Sequence, residues 1–218
     1  MTRITKKPDE RRAELIDTAE EFFETVGYNN TAVSDIVKKI NVAQGTFYYY
    51  FKSKEDILLA IFDKYTQQNI IDLKQILNSS DLNMIEKYAK VLDTQFKIIK
   101  NNKKISAQIH NKENAGIHQK AIINAINSYT PIYEELLKQG IKEGKIKTDY
   151  PYEISEFLLL IMNFLFDPGM FHFTIEEYKK KIEALNDMIM KVLEVPEKYK
   201  DVIQIKEKAI ELYQEVTS

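Results

Sequence analysis

Only two residues, Asn41 and Val42, separate two short apolar-faced segments, and that spacing constrains the chain more than any other feature. Upstream, Val33, Ile36, Val37 and Ile40 recur three and four apart, which puts them on one face of a helix. Downstream, Ala43 to Phe51 carries Phe47 and Phe51 four apart, on a side that can face a core. Asn tolerates the left-handed backbone that so tight a turn needs. Two short helices joined in this way make a helix-turn-helix. Neither is long enough to persist alone in water, so both need a packing partner. The candidate partner is an amphipathic helix from Asp9 to Val26, with Leu15, Ile16, Ala19, Phe22, Phe23 and Val26 at helical spacing and Gly27 as its C-cap. Thr31 is the candidate N-cap of the second helix.

The outward face of the third helix is unusual. Gln44 and Tyr48 stand four apart, with Gly45 and Tyr49 beside them, so the face is polar and aromatic with almost no charge. Exposed tyrosines do not stabilise so short a helix, and a binding role is the reason left for them. Net charge is -2, which alone does not suggest a nucleic-acid partner. The local pattern differs, because the acids gather between Glu10 and Glu24 while the bases sit in the N-terminal tail and at Lys38, Lys39, Lys52 and Lys54. Lys38 and Lys39 fit a solvated face and a phosphate contact equally well.

The remainder reads as further helices, and with 6 Gly and 5 Pro in 218 residues little interrupts them. Ser53 and Asp56 open a helix running to about Leu77. Others are expected at about Leu82–Lys100, Lys104–Asn111 and Ile117–Lys142, the last ended by Gly144. Pro151 starts a segment apolar all round through Phe166, which must be covered on every side, by this chain's own core or by a second copy. Thr174 and Glu177 form a capping box for a helix to Leu193, and Pro196 starts a last one ending near Val216.

Several functions lack support. With no Cys there is no disulfide, thiol nucleophile or thiolate metal site. His110, His118 and His172 lack the spacing of a helical metal site, so no metal or cofactor is expected. The Gly140–Ile146 stretch lacks the Gly spacing, the following Ser or Thr and the preceding strand of a phosphate loop. No nucleophile and base stand out as an enzyme's constellation. The basic N-terminus has no apolar run behind it, and Phe157–Phe166 is too short to span a bilayer, so a cytoplasmic protein without a membrane partner is the expectation.

From Arg11 to Ile61 the chain resembles the N-terminal domain of the TetR (TetR/AcrR-type) family of bacterial regulators. The matching residues are Ile16, Ala19, Phe22-Phe23, Gly27-Tyr28, Thr31, Asp35-Ile36, Val42, Gly45-Thr46-Phe47-Tyr48, Tyr50-Phe51 and Ser53-Lys54-Glu55. The resemblance implies an all-α homodimer: a three-helix DNA-binding domain over residues 1–53, a fourth helix linking onward, and a helical-bundle domain over 54–218 for ligand binding and dimerisation. It implies double-stranded operator DNA as partner and an unidentified small-molecule effector, most simply a repressor released by its ligand. An activator, or a helical protein-interaction module that does not bind DNA, remains open as an alternative.

Carried over residue by residue, Thr31 and Lys54 would hold phosphates, Gln44 and Thr46 would approach base edges, Gly45 would let the backbone come close, and Tyr48 and Tyr49 would meet phosphates or thymine methyls. Gln offers a donor–acceptor pair that suits adenine, and hydroxyls and ammonium groups are common phosphate partners. Asn41 and Ala43 stand where the family commonly has Gly and Ser, and Ala43 removes an N-cap hydroxyl that contributes about 1 kcal/mol. Helices Pro151–Phe166 and Thr174–Leu193 would pair across the dimer axis through Phe157, Leu158, Ile161, Leu165, Ile182, Leu185 and Ile189. An effector pocket would draw on Phe96, His110, Tyr129, Tyr133, Asn163 and Phe166, residues that fit a core just as readily.

Overall fold

The computed structural model describes residues 6–101, 105, 114–168, 170–200, 205 and 207–217. Among them the elements are helical and no strand occurs. Helices α1 (Pro8–Thr25), α2 (Val33–Lys39), α3 (Gln44–Tyr50) and α4 (Lys54–Leu77) come first. Then follow α5 (Met84–Asn101), α6 (Ala115–Lys142), α7 (Pro151–Leu160), α8 (Ile175–Val192) and α9 (Glu207–Thr217). The expected helix at Lys104–Asn111 lies, apart from Ile105, outside the described residues. Where one helix is expected from Pro196, Glu197–Tyr199 forms a 3-10 turn before α9.

The chain forms two compact units, Met1–Tyr65 with Lys104–Ala121, and Thr66–Lys103 with Ile122–Ser218. The first extends past residue 53 because Ile57, Leu58 and Ile61 of α4 are fully buried in the same core as Leu15, Phe23, Ile36 and Phe47. Burying side chains of this size contributes roughly 1.5–3 kcal/mol each. Lys64 of α4 reaches back to Asp17 at 2.6 Å and Glu20 at 2.8 Å on α1. The core of the second unit gathers α5 to α9, with the Tyr178 and Tyr213 rings stacked 4.0 Å apart and Asn186 bonded to both the N–H and the carbonyl of Ile205.

Local chemistry sets the boundaries. The N–H groups of Val26 and Gly27 both donate to the Phe22 carbonyl, and Gly27 closes α1 at φ 94°. The N-cap of α2 is Ala32, not Thr31: the Asp35 carboxylate accepts from the Ala32 N–H at 3.0 Å, while Thr31 is buried and its hydroxyl donates to the Gly27 carbonyl at 2.8 Å. Asn41 makes the turn in the left-handed region at φ 55°. Ala43 is the N-cap of α3 and offers no side-chain hydrogen bond. The Thr174–Glu177 capping box is present in full.

The apolar segment from Pro151 is not α-helical through to Phe166. It widens into a π-helix over Ile161–Leu165, where the Phe166 N–H donates to the Ile161 carbonyl five residues back. Within that turn Asn163 donates its side-chain amide to the Leu159 carbonyl at 2.8 Å, an acceptor the helix backbone would otherwise use. Gly140 answers to packing, because a Cβ there would lie 3.0 Å from Ile146 and Met84.

The turn gives a direct check. Asn41→Gly keeps or slightly raises stability, whereas Asn41→Ala costs about 1 kcal/mol for a side chain forced to positive φ. Urea unfolding followed by circular dichroism measures both. Equal losses would mean that the Asn side chain, rather than the backbone angle, holds the turn.

Candidate nucleic-acid interface and effector cavity

The first site grows out of the α2–α3 turn. Phe47 is fully buried and Phe51 nearly so, their rings 5.7 Å apart, and this anchors α3 by one side. The helical period then turns Gln44, Gly45, Tyr48 and Tyr49 to solvent, with Tyr49 77% exposed. Thr46 is half-buried. A Cβ on Gly45 would meet nothing within 4 Å, so the protein itself does not require glycine there. Glycine costs about 1 kcal/mol in a helix, and packing within the described residues does not offset that cost here.

Two residues expected to hold phosphates are engaged internally. Thr31 is 2% exposed, with its hydroxyl on the Gly27 carbonyl. Lys54 donates to the carbonyls of Tyr28 at 2.6 Å, Thr31 at 3.0 Å and Asn29 at 3.4 Å, and it lies 4.4 Å from the Tyr28 ring centroid. An ammonium has three donors, so this one has none left over. Burial lowers its pKa below the ordinary lysine value. Both side chains brace the loop between α1 and α2. The family resemblance transfers their positions, but not the partners this chain gives them.

The second site is a cavity of about 190 Å³ within the second unit, walled by α5, α6, α7 with its π-turn, and α8. Phe96, Tyr129, Tyr133 and Asn163 line it, as do Tyr88 and two polar residues that the sequence reading left out, Gln95 and Ser155. Phe166 is absent from the wall, because its ring packs on Tyr178 with centroids 5.4 Å apart. His110 lies outside the described residues. Among the described residues, no Asp, Glu, Lys, Arg or His lines the cavity, and burial raises the pKa of the Tyr88 and Tyr133 phenols, so they stay neutral.

The outer side of α7 and α8 carries an apolar groove of about 290 Å³ formed by Ile154, Phe157, Leu158, Ile161, Met188, Ile189, Val192 and Leu193. Phe157 is 58% exposed, and Leu160, Phe164, Met188 and Val192 are exposed with it. Leu158, Ile161 and Leu165 are half-buried. Ile182 and Leu185, expected at a dimer contact, are buried in the unit's own core, and Ile189 is buried there too while also lining the groove. The apolar pattern of α8 has two rows, and the row of Met188 and Val192 is the one facing out.

Comparison with known proteins settles the family. Residues 15–61 match the model "Bacterial regulatory proteins, tetR family", and residues 97–188 match "Tetracyclin repressor-like, C-terminal domain", together more than half of the chain. The chain belongs to the TetR family. As a TetR-family protein it is a helix-turn-helix, DNA-binding transcriptional regulator, and the family is one of regulators rather than enzymes. It is 28% identical over 183 residues to the fatty acid metabolism regulator protein of Bacillus subtilis, covering 83% of this chain and 92% of that one. Its fold matches the crystal structure of transcriptional regulator FadR from Bacillus subtilis in complex with stearoyl-CoA, at TM-score 0.56 and 23% identity over 94% of each chain. RolR in complex with resorcinol shares the fold at TM-score 0.64 and 18% identity, over 90% of this chain and 94% of that one. Among the described residues, no helix is long and apolar enough to cross a membrane.

Two substitutions separate reading from bracing. Gln44→Ala weakens operator binding by about 1–3 kcal/mol and relaxes preference at one base position. Lys54→Ala lowers thermal stability while leaving the salt slope of DNA binding unchanged. A slope reduced by about one in gel-shift titrations would show that Lys54 holds a phosphate after all.

Proposed function

We propose that this regulator is a cytoplasmic homodimeric repressor that grips operator DNA through its two α3 helices and releases it when a fatty acyl-CoA enters the cavity. The observation that carries this reading is the wall the cavity shares with the exposed groove. Leu158, Ile189 and Leu193 line both.

Several features favour each part. The exposed apolar row on α7 and α8 is what a second copy would cover, and equivalent surfaces meeting about a two-fold axis would close the assembly. Gln44, Thr46, Tyr48 and Tyr49, with Gly45 for close approach, are the groups proposed to meet DNA. Tight binding then needs both copies of α3 in successive major grooves, about 34–36 Å apart. The described lining of the cavity, uncharged and largely apolar, suits an acyl chain, and the fatty acid metabolism regulator relative and the FadR complex with stearoyl-CoA point to the same ligand class. The fold itself does not choose the ligand, since RolR binds resorcinol on it.

Size supplies the mechanism. At about 190 Å³ the cavity is smaller than the roughly 300–1,000 Å³ of ordinary ligand sites, so a long chain enters only if the wall moves. A displaced Leu158–Ile189–Leu193 wall changes the groove on its other side, which favours a dimer with different spacing.

In a gel-shift assay on DNA from upstream of its own coding region, palmitoyl-CoA releases the protein and free CoA does not. A complex that survives saturating palmitoyl-CoA would refute this effector. Phe157→Asp yields a folded monomer by sedimentation and loses operator affinity at least tenfold. A variant that remains dimeric would place the interface elsewhere.

A further inference from the structure

The cavity contains one unanswered polar group. Among the described residues, Gln95 Nε2 is the buried side-chain nitrogen or oxygen without a hydrogen-bond partner, and Gln95 lines the cavity. Its polar neighbours in the wall are engaged. Ser155 donates to the Pro151 carbonyl at 2.7 Å, Asn163 to the Leu159 carbonyl at 2.8 Å, and the Tyr129 hydroxyl accepts from Asn69 at 3.1 Å. A buried donor without an acceptor is costly, and a native protein seldom keeps one unless something answers it.

The position of Gln95 tells what could answer. Met84, Tyr88, Leu92, Gln95, Phe96 and Ile99 all line the cavity from one face of α5, so this helix runs along its length. Met84 is buried at one end of the stripe, and Ile99 is 45% exposed at the other. Gln95 stands one helical turn in from the exposed end. Between it and Met84 lie roughly 16 Å of apolar wall at about 1.5 Å per residue. An amide N–H donates only, so the partner must be an acceptor. A bare carboxylate would find no cation among the described lining residues and would be strongly penalised by desolvation. A neutral carbonyl oxygen at the head of an apolar chain meets both conditions.

We infer that Gln95 is the polar anchor of the effector site, donating from Nε2 to the carbonyl oxygen of a neutral acyl group whose chain lies along α5 toward Met84. Gln95 thereby fixes how far the ligand enters, and it distinguishes an acyl thioester from the same chain without a carbonyl. This role rests on the cavity being the effector site proposed above, and three probes separate the two ideas.

The first probe pair is decanoyl-CoA and S-decyl-CoA, a thioether that keeps chain and CoA but lacks the carbonyl. The second is 2-decanone, which carries a carbonyl without CoA. Affinities are measured by calorimetry for the parent and for Gln95→Met, which keeps the side-chain length and removes the donor. The parent binds decanoyl-CoA about tenfold more tightly than S-decyl-CoA, and Gln95→Met binds the two alike. The ligand-free Gln95→Met protein melts no lower than the parent, because an unanswered polar group has been removed. A residue needed only for folding would show the opposite. Equal affinity of the parent for thioester and thioether, unchanged in Gln95→Met, overturns the role of Gln95 and leaves the acyl-CoA effector standing. Binding of 2-decanone that depends on Gln95, with no binding of either CoA compound, upholds the anchor and removes CoA from the proposed function. Failure of all three probes overturns both.

Discussion

The burial of Phe47 and Phe51 is the interaction on which the DNA-binding unit depends. Helix α3 has 7 residues, too few to hold a helix in water. It exists because these two rings enter a core built by Leu15, Phe23, Ile36, Ile57 and Ile61. The same anchoring fixes the rotation of α3, so Gln44, Tyr48 and Tyr49 face outward as a consequence of packing. The loop behind it is fastened with equal economy by Lys54 and Thr31, two polar side chains that satisfy backbone carbonyls. What presents the reading face is thus a small apolar core with a polar brace.

Much of this was legible because it is local. Apolar spacing gave the helices, Asn41 gave the turn, and the Thr174–Glu177 pair gave the start of α8. What escaped depended on partners distant in sequence. Nothing near Lys54 announces that its ammonium meets the carbonyls of Tyr28, Asn29 and Thr31. In α8 the spacing shows two apolar rows without saying which faces the chain's own core; Ile182 and Leu185 lie in that core, and Met188 and Val192 are exposed. Asn163 is visible as a polar break in an apolar run, but its bond to the Leu159 carbonyl, and the π-turn that accompanies it, are properties of the folded helix. Gln95 carried a usable signal: it lies on the same helical stripe as Leu92, Phe96 and Ile99, where an amphipathic helix ordinarily keeps apolar residues.

In the proposed mechanism one wall of the second unit serves both recognition and response. Leu158, Ile189 and Leu193 each touch the cavity and the outer groove, so the cavity cannot expand at that point without altering the groove. The π-turn lies at the end of the same helix, where a wide turn with fewer regular backbone bonds is the natural place for a helix to yield. Packed walls of this kind shift between discrete arrangements rather than deforming smoothly, which is how a ligand of modest size could change the geometry of a dimer.

In the proposed mechanism, ligand in the cavity changes the separation of the two reading heads. The chain has no cysteine, so Glu24→Cys on the exposed side of α1 provides one spin-labelling site per protomer. Electron–electron dipolar spectroscopy on the labelled dimer then reads the distance between the two DNA-binding units. One narrow distance is expected with operator bound, and a distribution displaced by several ångströms when palmitoyl-CoA is added. An unchanged distribution under conditions where palmitoyl-CoA releases the DNA would contradict it.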